Sequence, residues 1–224
     1  DNYRVRPIAL LETLLRVVDT RVNSRNQDVD YRDGLQNKHQ HGFGKGGAAA
    51  DATAIATGVI EDARDTNQSC AIGEEDCSEA FDSIKDAPLD ISFQAEGIAD
   101  RLTEWYLQAR RQQQRLVSAM GQVSDLDTAL DVKGGAQGLP STPFQWNKLK
   151  DKILRFSHLY GGSGYQYRVH YHGEYIRTAL NKDEAYGDDK LPKDATKQGL
   201  ATTAGASAAM CATMGIRNQH RKSL

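Results

Sequence analysis

Residues 184–194 read EAYGDDKLPKD, and two adjacent carboxylates, Asp188 and Asp189, follow an aromatic residue and a glycine. Such a pair is either a solvated turn or part of a divalent-ion site. A hard cation such as Mg2+ takes oxygen ligands and keeps part of its water shell. A two-metal phosphoryl-transfer site draws its carboxylates from more than one segment, because its ions sit about 3.5–4 Å apart and clamp the attacking and leaving oxygens. The reading therefore turns on a second acidic block. Residues 71–84, AIGEEDCSEAFDSI, supply Asp76 and Asp82 where the chain is expected to leave a strand. Taken alone, both also suit a helix N-terminus, whose dipole favours acids. Residues 134–147, GGAQGLPSTPFQWN, add a Gly-rich turn with Gln137 ahead of a helix, able to offer contacts to a base and to phosphates.

The 224 residues suffice for one large domain or two small ones and can bury a real core. The apolar fraction is 39% and the mean hydropathy -0.62, a polar but globular composition. No apolar run approaches the ~20 residues of a membrane span. The chain opens DNYRVRP, without Met, and reads as an excised fragment. Cys70, Cys77 and Cys211 are odd in number and lack CxxC spacing, which points to a reducing, intracellular compartment and to no zinc knuckle. The net charge of -2 weighs mildly against a nucleic-acid binder, whose phosphate contacts need clustered cations.

Apolar spacing predicts a helix over 8–25 with Leu11, Leu14, Leu15, Val18 and Val22 on one face. A loop, GFGKGG, follows at 42–47, then a helix over 48–64 through Ala52, Ile55, Ala56 and Val59. A third helix covers 96–114 through Ile98, Leu102, Trp105 and Ala109, and 115–123 with 128–135 suggest a hairpin. Residues 141–160 predict a helix capped by Ser141 or Thr142, with Pro143 in its first turn. Strands are expected over 165–180, and a last helix from a cap at Asp194 to a stop at Gly215. Helices and strands mix without βαβ alternation, so the fold class is α+β. His170 and His172, two apart on an expected strand, face one side and suit a plain sheet face better than a metal site, as do His39 and His41. Arg110, Arg111 and Arg115 either track phosphates or form a solvated helix face.

In their order, these blocks resemble a reverse transcriptase, most closely the non-LTR (LINE-type) retrotransposon group. YRVRPIALL resembles the opening YRPI-x-LL block with a two-residue insertion, and QHGFGKGGAAADA resembles Q-x-G-F-R-x-G-R-S-x-x-D-A. DCSEAFDSI resembles D-L-S-K-A-F-D-x-I, AQGLPSTPFQWN resembles PQG-x-x-x-SP-x-x-x-N, AYGDD resembles Y-A-D-D, and GIRNQHRKS resembles G-x-x-x-N-x-x-K-S. The resemblance covers nearly the whole chain. It implies the fingers and palm of a right-hand polymerase with an antiparallel palm sheet and no thumb. Residues 1–68 would be fingers, 69–88 the first palm block, 89–136 a fingers/palm helix and hairpin, and 137–224 the remaining palm.

The same resemblance implies Asp76, Asp188 and Asp189 as catalytic metal ligands for Mg2+ or Mn2+, and Lys222 as the late catalytic lysine. It implies substrate contacts at Arg6, Lys45, Phe81, Gln137 and Gly138, with Phe81 as an aromatic gate under the sugar. The implied partners are an RNA template, a DNA primer, dNTPs and the other domains of a longer polyprotein, with no membrane. A nuclear location follows from the resemblance only. This sequence departs from the pattern at Gly44 and Gly47, where the family has arginines; Lys45 is a cation without their bidentate fork. Glu74-Glu75, Asp183-Glu184 and KLPK stand where apolar strand residues are expected, and Pro192 belongs at an edge or bulge. Two other functions compete. GDD and GLPST echo a viral-type RNA-dependent RNA polymerase, which Phe81 opposes. The replaced arginines and polar strands suit a non-catalytic nucleic-acid-binding remnant.

Overall fold

The computed structural model describes residues 13–111, 118–119, 122–123, 134–135 and 138–221. Helix α1, Thr13–Arg32, buries Asp19, Asn23 and Asp30 rather than its apolar stripe: Leu14 is 69% exposed and Val18 41%. The expected apolar face is thus corrected. α1 docks by hydrogen bonds, with Asp19 accepting from the Ser141 N–H at 2.8 Å and Asn23 Nδ2 donating to the Pro140 carbonyl at 2.9 Å. Of the expected stripe, Val22 packs against the main core. The glycine loop leads into α2, Ala49–Thr66, which buries Ala52 and Val59 as its spacing requires.

Strands β1, Ala71–Ile72, and β2, Glu74–Ser78, follow, so the chain stays extended past Asp76, two residues beyond the expected exit. Helix α3, Asp86–Ala95, has no counterpart among the predicted elements, whereas α4, Asp100–Arg111, does. Of the suggested hairpin, β3 (Ser118–Ala119) pairs with β4 (Gln122–Val123) inside the first segment, while 128–133 of the second lie outside the described residues. Helix α5, Thr142–Tyr160, has Pro143 in its first turn and runs through the core, burying Phe144, Trp146, Leu149, Ile153 and Leu154. Its N-cap Ser141 makes no side-chain capping bond; the Ser141 N–H donates to Asp19 and its Oγ accepts from Gln145 Nε2 at 3.2 Å.

A two-stranded ribbon of β5, Tyr165–Tyr171, and β6, Glu174–Asn181, stands apart from the main sheet. Its turn has positive φ at both His172 and Gly173. His172 therefore leaves the strand and does not share a face with His170, as the period-two spacing had implied. Next come β7, Asp183–Tyr186, and β8, Asp189–Asp194, then α6, Lys197–Met214, and β9, Arg217–Arg221. Helix α6 is capped by Thr196, whose Oγ1 accepts from the Gly199 N–H, while Asp194 holds Thr196 in place. Gly215 ends α6 at φ +70°, as expected. The elements form an α+β fold with antiparallel sheets.

In the main sheet β8 is interior: β1 and β2 pair along one side of it, β7 along the other, and β9 pairs with the far side of β2. Pro192 is therefore not at an edge. It lies on β8 opposite Gly73, accepts from the Gly73 N–H at 3.0 Å, and has no N–H to return. The ladder lapses there, which divides one extended segment into β1 and β2 without changing its register.

The polar residues of these strands are buried in pairs. Lys190, 1% exposed, lies 3.0 Å from Asp183 and 3.7 Å from Glu75, and also donates to Ser157 and Ser207. Asp183 takes further bonds from Ser157 and His158. Glu184 accepts from His39 at 3.0 Å, His41 at 2.6 Å and Asn181. Lys193 donates to Asn181 at 2.9 Å. A network of this kind fills the volume that apolar side chains would fill, and it is tolerable because each charge meets partners.

Candidate active site at the β7–β8 turn

The two acidic blocks meet. β2 and β8 are antiparallel neighbours with Asp76 opposite Asp189, and Asp188 occupies the two-residue loop between β7 and β8. The loop opens with Gly187 at φ +66°, and Asp188 stays at negative φ, the pattern of a tight hairpin turn that needs glycine first. Burial pushes the Asp189 carboxyl above its ordinary range, and the neighbouring charges of Asp188 and Asp76 push it further; Lys150 opposes them. Like-charged carboxylates on adjacent strands are destabilising unless a cation sits among them.

Three side chains from two segments fix the turn from behind. Gln40 donates to the Gly187 carbonyl at 3.1 Å and accepts from the Gly187 and Gly42 N–H groups. Trp146 Nε1 donates to the same carbonyl at 3.0 Å. Lys150, buried on α5, donates to the Asp188 carbonyl at 2.7 Å. A Cβ on Gly42 would overlap the Gly187 nitrogen, so the glycine loop and the acidic turn are in backbone contact. Asn147 Nδ2 donates to the Gly42 carbonyl, tying that loop to α5.

Phe43 from the glycine loop, Phe81 after β2 and Tyr186 before the turn form an aromatic group, with ring centroids 5.8 Å apart for Phe43–Phe81 and 6.5 Å for Phe43–Tyr186. Phe81 is half-buried and also packs on the main core. The Gly134–Gly135 segment lies against this group: a Cβ on Gly134 would strike the Asp82 backbone, and the Gly135 N–H donates to the Phe81 carbonyl at 2.6 Å. Four blocks that are far apart in sequence thus converge on one place.

The remaining predicted residues divide. Gly138 is exposed at φ +113°. Lys45 pairs with Asp28 of α1, both side chains being exposed. Arg6, Gln137 and Lys222, along with Arg115, lie outside the described residues. The two glycines that replace arginines are not equivalent. A Cβ on Gly44 would meet the movable amide of Gln36, whereas on Gly47 it would sit 2.6 Å from the His41 carbonyl oxygen. Gln40, Trp146 and Lys150 escaped sequence reasoning: their roles depend on where α5 and the loop pass the turn, and no spacing rule reports that.

Among the described residues no group of three or more His, Cys, Asp or Glu side chains forms a ready metal cage. A hard cation that keeps several waters needs only one or two carboxylates, which is the kind of donor that Asp76, Asp188 and Asp189 carry. The placement of Asp76 opposite Asp189, with Asp188 in the adjoining turn, is the observation that bears on such an ion. Among the described residues no helix is long and apolar enough to cross a membrane.

No protein-family model matches the chain, and no curated protein resembles it at the level of sequence. Among solved structures, apo telomerase from Candida tropicalis, truncated from the C-terminal domain, superposes with a TM-score of 0.55 at 11% identity. The match covers 92% of this chain and 40% of that one, so the present chain spans well under half of the telomerase chain. At this identity the likeness is one of fold.

Proposed function

We propose that the chain is the fingers-and-palm part of a nucleic-acid-templated polymerase, and specifically of an RNA-directed DNA polymerase of the non-LTR type. The observation that carries this reading is the cross-strand pairing of Asp76 with Asp189, with Asp188 in the adjoining turn. The telomerase-like fold supports it. In this reading the partners are an RNA template, a DNA primer and dNTPs, and the division into fingers and palm follows the boundaries given above.

Asp76 and Asp188 would hold a divalent ion, Mg2+ or Mn2+, with Asp189 beside them. Such an ion, when bound, lowers the pKa of a primer 3′-hydroxyl and offsets charge on the leaving pyrophosphate. The chain's own part is positioning and electrostatics. Gln40, Trp146 and Lys150 hold the turn so that the carboxylates need no reorganisation on substrate arrival. Phe81 would lie under the sugar and exclude a 2′-hydroxyl. Lys222 would supply charge or a proton to the leaving group.

Primer extension on an RNA template, with dNTPs and rNTPs in parallel and Mg2+ or Mn2+ present, tests the reading. Extension with dNTPs is expected, and Asp188→Asn is expected to lower it roughly a thousandfold or more, a loss of several kcal/mol at ~1.4 kcal/mol per decade. Extension with rNTPs alone would transfer the chain to the RNA-polymerase reading. No extension at all would leave the non-catalytic reading.

A further inference from the structure

Of Gln40, Trp146 and Lys150, which hold the acidic turn from behind, Lys150 alone brings a charge to it. It is 1% exposed on α5, a helix that buries Trp146, Leu149 and Ile153 together with the polar Gln145, Lys148 and Asp151. A lysine is rarely buried unless its ammonium has compensating partners. Its Nζ donates to the Asp188 carbonyl at 2.7 Å and lies 3.6 Å from Cys77 Sγ, the residue after Asp76. The ammonium thus touches β2 and the β7–β8 turn, the two segments that carry the acidic blocks, from the core side.

We infer that Lys150 is a resident counter-charge for the acidic cluster: a positioning residue that holds the Asp188 backbone and offsets the carboxylates when no divalent ion is bound. The inference rests on the polymerase reading of that cluster. Its physical content is competition. A fixed positive charge stabilises the empty site and opposes an arriving cation by the same Coulomb term. Removing that charge while keeping a hydrogen-bond donor should therefore tighten divalent-ion binding. A residue that only supported the turn would, when lost, loosen the site and weaken binding.

The experiment measures Mn2+ binding to the chain by electron paramagnetic resonance of free Mn2+, together with the Mn2+-induced rise in Tm. Lys150→Gln keeps a donor and removes the charge; Lys150→Arg keeps the charge. The expected result is a Kd for Mn2+ on the order of tenfold lower in Lys150→Gln, with a larger Mn2+-induced Tm rise, and a near wild-type Kd in Lys150→Arg. If Lys150→Gln is unfolded without metal, Mn2+ is expected to restore its fold. An unchanged or higher Kd in Lys150→Gln, or a misfolded variant that Mn2+ does not rescue, overturns the inference alone, provided wild type binds Mn2+. Absence of Mn2+ binding in every chain overturns both the inference and the polymerase reading.

Discussion

Replacing Lys190 by Met tests whether buried ion pairs hold the main sheet together. Lys190 is 1% exposed and serves Asp183, at 0% exposure, and Glu75, at 3%. Methionine fills most of the volume but leaves both carboxylates without their cation. Removing one partner of a buried pair costs about 3–5 kcal/mol. Asp183 keeps its bonds from Ser157 and His158, and Glu75 keeps one from Asn218, so the expected loss is at the low end, about 3 kcal/mol. With a urea slope near ~3 kcal/mol per molar, the unfolding midpoint should fall by about 1 M. The fluorescence of Trp146, fully buried against the β7–β8 turn, reports the transition. Adding Asp183→Leu to Lys190→Met should recover at least half of the loss, since a buried pair exchanged for apolar groups is often neutral or stabilising by about 1–4 kcal/mol. A single-variant cost below ~1 kcal/mol, or a double variant weaker than the single, would refute the view that this network substitutes for apolar packing.

Gly44→Arg should be tolerated, because the nearest atoms to a Cβ there belong to the Gln36 side chain, and should lower the KM for dNTPs on the order of tenfold or more through a charge-assisted bond; Gly47→Arg should instead lower Tm, because it drives against the His41 backbone, and equal behaviour of the two would contradict the packing described. Phe81→Val should reduce the dGTP over GTP preference in kcat/KM by about 1–3 kcal/mol, whereas an unchanged ratio with a lowered Tm would make Phe81 a core residue only. Burial pushes the Asp183 carboxyl up, but Lys190, His158 and Ser157 together hold it well below its ordinary range; Glu184, buried likewise, is held down by His39 and His41. A carboxyl depressed on folding contributes stability that is present above its unfolded value and lost as pH falls through the folded one. Tm should therefore be insensitive to these groups above about pH 5 and drop steadily below about pH 4, and a Tm that rises on acidification would reject the pairing.

The acidic turn, the second acidic block and the helices at 49–66, 142–160 and 197–214 could be read from the sequence, because glycine stops, Pro143 and apolar spacing act locally. The sheet beneath the site could not. Glu75, Asp183, Glu184 and Lys190 look like solvated residues to any rule based on polarity, and their burial depends on partners more than thirty residues away or on another strand. Helix α1 misled for the same reason: Asp19 and Asn23 are buried because Pro140 and Ser141 meet them. Pro192 was misplaced because a sheet can accept proline in an interior strand when one ladder bond opposite Gly73 is given up. Helix α3 carries no cap signal, since Lys85 at its N-cap makes no side-chain bond.

The backbone contact between Gly42 and Gly187 bears on how diverged copies of such a chain are to be judged. A side chain at Gly42 would displace the turn whether or not chemistry takes place there, so both glycines are required by the fold itself. A descendant that had lost catalysis but still folded would keep them, along with the sequence signature they create. Their retention reports an intact scaffold. On the proposed reading only the carboxylates at 76 and 188 would report a working enzyme, and a survey that scores whole motifs would count inert relatives as active ones.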